Sequence, residues 1–155
     1  MAKLSNEMRV FVANQRLGFL ATVCADGSPN LSPKGLTFIY DDQRIVIGEV
    51  RSPGTIENLH TQPIAELNVV DRNTRKGFRF KGKCEVHSSG EDYEHFLAFL
   101  RKQGAQSKIR SVIVMAVDVV SPLLSPVYDD GASDIEVRLQ WKRYYDGSES
   151  DHPAK

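Results

Sequence analysis

The chain has 155 residues, of which 41% are apolar and 26% charged. That suits one domain with a self-sufficient core and excludes bulk disorder. Twenty basic residues balance twenty acidic ones, so a nucleic-acid role needs a local basic patch rather than an overall excess. Cys24 and Cys84 permit one disulfide but no disulfide framework.

In chain order, the opening MAKLSNEMRVF lacks the apolar core of a secretory signal, which gives the reading of a soluble cytoplasmic protein. Leu4, Met8, Phe11 and Val12 share one helical face behind Ser5, predicting a helix over 6–15. Residues 17–24 (LGFLATVC) are apolar and β-branched, and Asp26-Gly27 after them is a hairpin-turn signal. Residues 36–40 and 44–48 read as strands around an Asp41-Asp42 turn. Ser52 stands as a cap before Pro53, and Pro63 ends that helix near Thr61. A strand over 64–70 follows. In 78–87, Phe78, Phe80, Gly82, Cys84 and Val86 fall on one face, opposite Arg79, Lys81, Lys83 and Glu85. Tyr93, Phe96, Leu97 and Leu100 define a helix over 91–103 that ends at Gly104. Residues 111–120 make a sixth strand, and the capping-box spacing of Ser133 and Glu136 opens a last helix over 134–145. The expected fold is mainly β with flanking helices, six antiparallel strands closing into a barrel. Residues 1–145 read as one domain and 146–155 as a polar, disordered tail.

Three segments could carry chemistry. At Ser52-Pro53-Gly54-Thr55 a helix N-terminus offers amides and a dipole to an anion, with Arg51 beside it. An ordinary helix start accounts for the same residues. In NLSPKG (30–35), an extended backbone puts Ser32 and Lys34 on one side; a solvated edge strand is the plainer alternative. In 72–83 (RNTRKGFRFKGK), six of twelve residues are basic and none is acidic. That stretch reads as a solvated strand face, a contact for an anionic small molecule, or a nucleic-acid platform. The last is disfavoured because Phe78 and Phe80 oppose the cations instead of interleaving with them for base stacking. His60, His87, His95 and His152 lack ligand spacing, and no CxxC, GxGxxG, GxxxxGK[ST] or GxSxG is present. Cys24 and Cys84 sit in apolar runs, as core residues rather than reactive thiols do.

Taken together, LGFLATVCADGSPNLSPKG, RIVIGEVRSPGTIENLHTQPIAELNVVD and RKGFRFKGKCEV, spanning about 17–86, resemble the FMN-binding split-barrel family of the pyridoxamine 5′-phosphate oxidase type. The chain looks closest to its short single-domain members, and 121–145 resembles their C-terminal segment. The DGSPNLSPKG run and the SPGTIENL helix start are the most specific elements. The resemblance implies a six-stranded antiparallel split β-barrel forming a homodimer, with two FMN sites at the interface built from both chains. It implies that Ser32 and Lys34 lie near the flavin or its phosphate. Ser52, Thr55 and Asn58 would hold that phosphate with help from Arg51, and Ile47 and Gly48 would pass their backbone beneath the ring. Arg79, Lys81, Ser125, Tyr128 and Trp141 would serve as second-chain or substrate-side contacts. The implied activity is electron transfer between a reduced donor such as NAD(P)H and a small-molecule substrate, with no side chain assigned to catalysis. A flavin carrier or redox sensor without turnover would use the same pocket; haem or a deazaflavin are further ligands to weigh. Two departures matter. Larger family members often carry Arg-Lys where this chain has Ser52-Pro53-Gly54-Thr55. The chain also lacks the Arg-bearing C-terminal segment that pyridoxamine phosphate oxidases use on the substrate phosphate, which counts against vitamin B6 oxidation.

Overall fold

The structure, a computed structural model, describes residues 1–147. The part of the expected tail from residue 148 onward lies outside the described residues. Helix α1 (Asn6–Gln15) matches the expectation, and the Ser5 hydroxyl accepts the Met8 amide at 3.2 Å. The expected turns also form: Gly27 takes φ 83° in the first hairpin, and the Asp41 carboxylate accepts the Gln43 and Arg44 amides.

Seven strands, not six, make one antiparallel sheet. They are β1 (Gly18–Val23), β2 (Pro29–Lys34), β3 (Thr37–Ile39), β4 (Arg44–Glu49), β5 (Ile64–Asp71), β6 (Lys76–His87) and β7 (Ser111–Leu124), in the order β2-β1-β5-β6-β7-β4-β3. The additional strand is β2, whose apolar signal is broken by Pro29, Pro33 and three polar residues. It tolerates two prolines because it is an edge. Pro29 and Pro33 lie opposite Val23 and Phe19, in register positions whose amides point away from β1.

The edge strands β2 and β3 are separated only by Gly35 and Leu36, so the sheet curls until its two edges meet. The Leu36 carbonyl accepts the Gly48 amide at 2.8 Å, and Thr37 Oγ1 donates to the Lys34 carbonyl at 3.0 Å. The result is an antiparallel split barrel with flanking helices α2 (Pro53–Thr61), α3 (Gly90–Lys102) and α4 (Asp134–Tyr145). Leu20, Ile45, Ile47, Leu67, Phe80, Ile113 and Met115 fill the barrel, and Val12 of α1 packs against this core together with Leu4 from the segment before the helix. The opposite faces of β4 and β7, carrying Val46, Val112 and Val114, are covered by Phe96 and Leu100 of α3. Burial on both faces explains why β4 and the first half of β7 read as unbroken apolar runs.

Among the described residues no helix is long and apolar enough to cross a membrane. Both cysteines are free, and burial pushes the Cys84 thiol up to about 12.

Candidate functional site

The split between the barrel's edges places the end of β2 beside the turn from β4 into α2. Ser32 and Lys34 share a side of β2, as the strand period requires. Lys34 Nζ donates to Ser32 Oγ at 2.6 Å and to Ser52 Oγ at 2.7 Å. The Ser52 hydroxyl in turn donates to Glu49 Oε1 at 3.2 Å, and the Ser52 amide donates to the same oxygen. Two segments that the sequence offered separately, NLSPKG and the Ser52 helix start, thus meet through one hydrogen-bonded chain. Its last member, the buried Glu49, was not anticipated: an acidic residue ending an apolar strand carries no sequence signal of its own.

The local outcome at α2 differs from a simple capped N-terminus. Ser52 occupies the cap position, but its side chain makes no capping bond, because the ammonium and carboxylate engage the hydroxyl instead. The amides of Thr55 and Ile56 both donate to the Ser52 carbonyl. Pro53 has no amide proton, and the Gly54 amide in the first turn has no acceptor among the described residues. Beyond its chain neighbours and its own helix backbone, a Cβ on Gly54 would meet no described atom within 4 Å.

Thr55 and Asn58 are buried on the other side of α2. Asn58 Nδ2 donates to Thr22 Oγ1 at 3.0 Å, and Asn30 Nδ2 donates to Thr22 Oγ1 at 3.2 Å and Thr55 Oγ1 at 3.3 Å. These bonds fix α2 to the β1–β2 hairpin and so set the angle at which its N-terminus meets Lys34. Ile47 is fully buried in the barrel. Gly48 borders the site, and the space its missing Cβ leaves is taken by Leu36 and Ile109, at 3.1 and 3.2 Å from that position.

A cleft of about 760 Å³ opens over this cluster, within the usual size of small-molecule sites. Ser32, Lys34, Gly48, Arg51 and Ser52 border it on one side. Ser107, Lys108 and Arg110, from the loop before β7, border it on another. The loop residues were missed from sequence, where SKIR is too short a basic run to stand out. The cleft is electropositive. Lys34 is 4% exposed, and burial holds its ammonium below the usual lysine range, partly offset by the negative charge of Glu49.

The remaining expected residues lie away from this cleft in the same chain. Arg79 and Lys81 are on the outer face of β6, where Arg79 pairs with Glu66 at 3.1 Å and Asn68 at 3.3 Å. The Ser125 hydroxyl accepts the Val127 amide, and the Tyr128 hydroxyl donates to the Thr74 carbonyl at 2.5 Å. The Arg75 guanidinium lies 3.5 Å from the centre of a Trp141 ring.

No curated protein matches the chain. The solved structure of HupZ from Group A Streptococcus is 30% identical, with a TM-score of 0.70 over 79% of this chain and 95% of that one. A protein from Lactobacillus delbrueckii, named a candidate pyridoxamine 5′-phosphate oxidase, is 25% identical with a TM-score of 0.66, covering 77% and 93%. An FMN-binding protein from Syntrophomonas wolfei shares the fold at 14% identity and a TM-score of 0.63, covering 74% and 82%. The family model for pyridoxamine 5′-phosphate oxidase matches residues 4–123, which take in the whole sheet except the last residue of β7. By that match the chain belongs to the pyridoxamine 5′-phosphate oxidase family.

Proposed function

We propose that this protein is an FMN-dependent oxidoreductase that moves electrons between a reduced donor such as NAD(P)H and a small-molecule substrate. It would act as a homodimer with two flavin sites at the interface, each built from both chains. The observation that carries the reading is the Ser32–Lys34–Ser52 cluster at the floor of an electropositive cleft, beside the unpaired Gly54 amide. Those donors suit a phosphate monoester. Ser32, Lys34, Arg51 and the Gly54 amide would hold it, and Ser52, whose amide and hydroxyl both donate to Glu49, would position the Lys34 ammonium.

Magnitudes favour a ligand with more than a phosphate. Hydrogen bonds to a charged group are worth about 1.5–3 kcal/mol each, so four give roughly 6–12 kcal/mol. Immobilising the ligand costs an estimated 4–15 kcal/mol, roughly the same. Burying about 300 Å² of a tricyclic ring adds about 7 kcal/mol, which is what makes binding tight. Within the family, an FMN-binding structural neighbour favours this cofactor class. Bound flavin would supply the two-electron chemistry, and the protein would bind, orient and shield it.

The outer face of the sheet supports dimerisation. Phe19, Val23, Leu31 and Val119 are exposed there, on the same face as Arg79 and Lys81. On that reading the two cations reach the flavin of the partner chain, as the resemblance implies. The test is the visible spectrum of purified protein, recorded again after adding FMN and desalting. Flavin bands retained at about one per chain are expected. A colourless protein that releases all added FMN overturns the cofactor assignment.

A further inference from the structure

Among the described residues Lys34 is the one buried cation, and Glu49 and Asp71 are the buried carboxylates. Asp71 meets a cation directly, Arg138 at 3.0 Å. Glu49 does not. Its Oε1 accepts the Ser52 amide and, at 3.2 Å, the Ser52 hydroxyl, whose oxygen accepts Lys34 Nζ at 2.7 Å. One hydroxyl therefore stands between a buried carboxylate and the buried ammonium.

Glu49 ends β4 on the same side of the strand as Ile45 and Ile47, which lie in the barrel core. A carboxylate there loses water, and so does the ammonium across Ser52. A direct ion pair would offset both losses but would commit the lysine to Glu49. With the hydroxyl between them, the attraction persists over the longer separation and one N–H of Lys34 stays free for a ligand. The other charges around Lys34 act against its proton: Arg51, Lys108 and Arg110 border the same cleft, and each repels an ammonium. On the side of α2, Glu57, His60 and Arg110 share a neighbouring cleft with Glu49. Burial holds the Lys34 ammonium below the usual lysine range, and the Glu49 charge opposes that effect.

We propose that Glu49 is a positioning residue for the cofactor phosphate: acting across Ser52, it holds the Lys34 ammonium charged and in place at the cleft, and so sets the upper pH limit of flavin binding. The inference rests on the flavin reading above and deepens it, since Glu49 itself touches no ligand. A strut that only ties the end of β4 to the start of α2 would need the same two bonds to Ser52 but not the negative charge. Glu49→Gln separates the two roles, because it keeps an oxygen to accept the Ser52 amide and hydroxyl and removes the charge.

The test follows Lys34 in the free protein by NMR of side-chain-labelled lysine, its signal assigned by its loss in K34M, and then FMN affinity across pH by fluorescence. In E49Q, Lys34 should lose its proton about one pH unit lower than in the parent, the lower end of what a nearby opposite charge does. FMN affinity of E49Q should equal or exceed the parent's near about pH 6, where Lys34 is charged in both proteins and a negative charge beside the phosphate is gone, and should fall away at correspondingly lower pH. An unchanged Lys34 midpoint overturns the inference, as does an FMN affinity lowered by the same factor at every pH, which is the mark of a strut. If neither protein binds FMN, the flavin reading fails separately, and the Lys34 midpoint alone decides whether Glu49 holds the charge. If E49Q does not fold, the E49Q/K34M double variant decides. Removing both buried charges together should restore a folded chain, as circular dichroism would show, and a double variant that also stays unfolded overturns the coupling.

Discussion

Lys34 uses two of its three N–H bonds inside the protein, on Ser32 and Ser52, which leaves one to face the cleft. Its burial has two consequences of opposite sign. The folded state holds its protonation below the unfolded value of about 10.4. Between the two values the unfolded chain binds the extra proton, so folding stability rises as pH rises through that window. Phosphate binding runs the other way. A bound dianion favours the charged lysine, so affinity is full below the free-state pKa and falls as pH climbs through it. FMN affinity measured by fluorescence from pH 7 upward should therefore decline before the ordinary lysine range, while thermal stability of the free protein gains over the same interval. Lys34→Met should remove the lysine's part of both trends and lower FMN affinity about 10–100-fold, the worth of one charged hydrogen bond of about 1.5–3 kcal/mol. Unchanged affinity in that variant would move the phosphate elsewhere.

At the level of elements, strand β6 shows how backbone contact dictates residue type. Its pairing with β7 shifts register between Lys81 and Gly82, and a Cβ on Gly82 would lie 1.9 Å from the Ala116 carbonyl oxygen. That oxygen belongs to the ladder and cannot swing aside like a side-chain tip. Gly82→Ala should cost at least about 1–3 kcal/mol, the usual penalty for overpacking, read as a lowered chemical-denaturation midpoint. A midpoint equal to the parent's would mean that the ribbon yields there. The same strand explains what the sequence could disclose. Its period of two put Phe78 and Phe80 inward and Arg79 and Lys81 outward, and α1 and α4 were legible from their spacing and caps. Strand β2 was not, because its pairing to β1 is set by position at the sheet edge and not by apolar content. The site was half legible for a related reason. Ser32, Lys34 and Ser52 announced themselves locally, whereas Glu49, Lys108 and Arg110 matter only because the curled sheet and the α3 loop converge on the same cleft.

On the scale of the whole molecule, closing the barrel leaves apolar side chains exposed on the outer face of β1 and β2. The edge strand β2 is protected against further strand pairing, since prolines occupy two of the three positions whose amides point outward. The apolar residues beside that edge are not protected: Leu31 is 66% exposed and Phe19 is 42% exposed, diagonal neighbours across β1 and β2. On the proposed dimer, a partner docked there would cover apolar side chains without adding a strand and would bring Arg79 and Lys81 of a second sheet toward the cleft. If the flavin site needs both chains, affinity must depend on assembly. Phe19→Asp/Leu31→Asp replaces exposed side chains, so the fold of each chain should survive, as checked by circular dichroism. Analytical ultracentrifugation should show a dimer for the parent and a monomer for the variant at the same concentration, and the variant should lose FMN on desalting. A folded monomer that retains FMN would mean that Ser32, Lys34 and Arg51 of one chain suffice. It would leave the outward cations Arg79 and Lys81 without a role at the site.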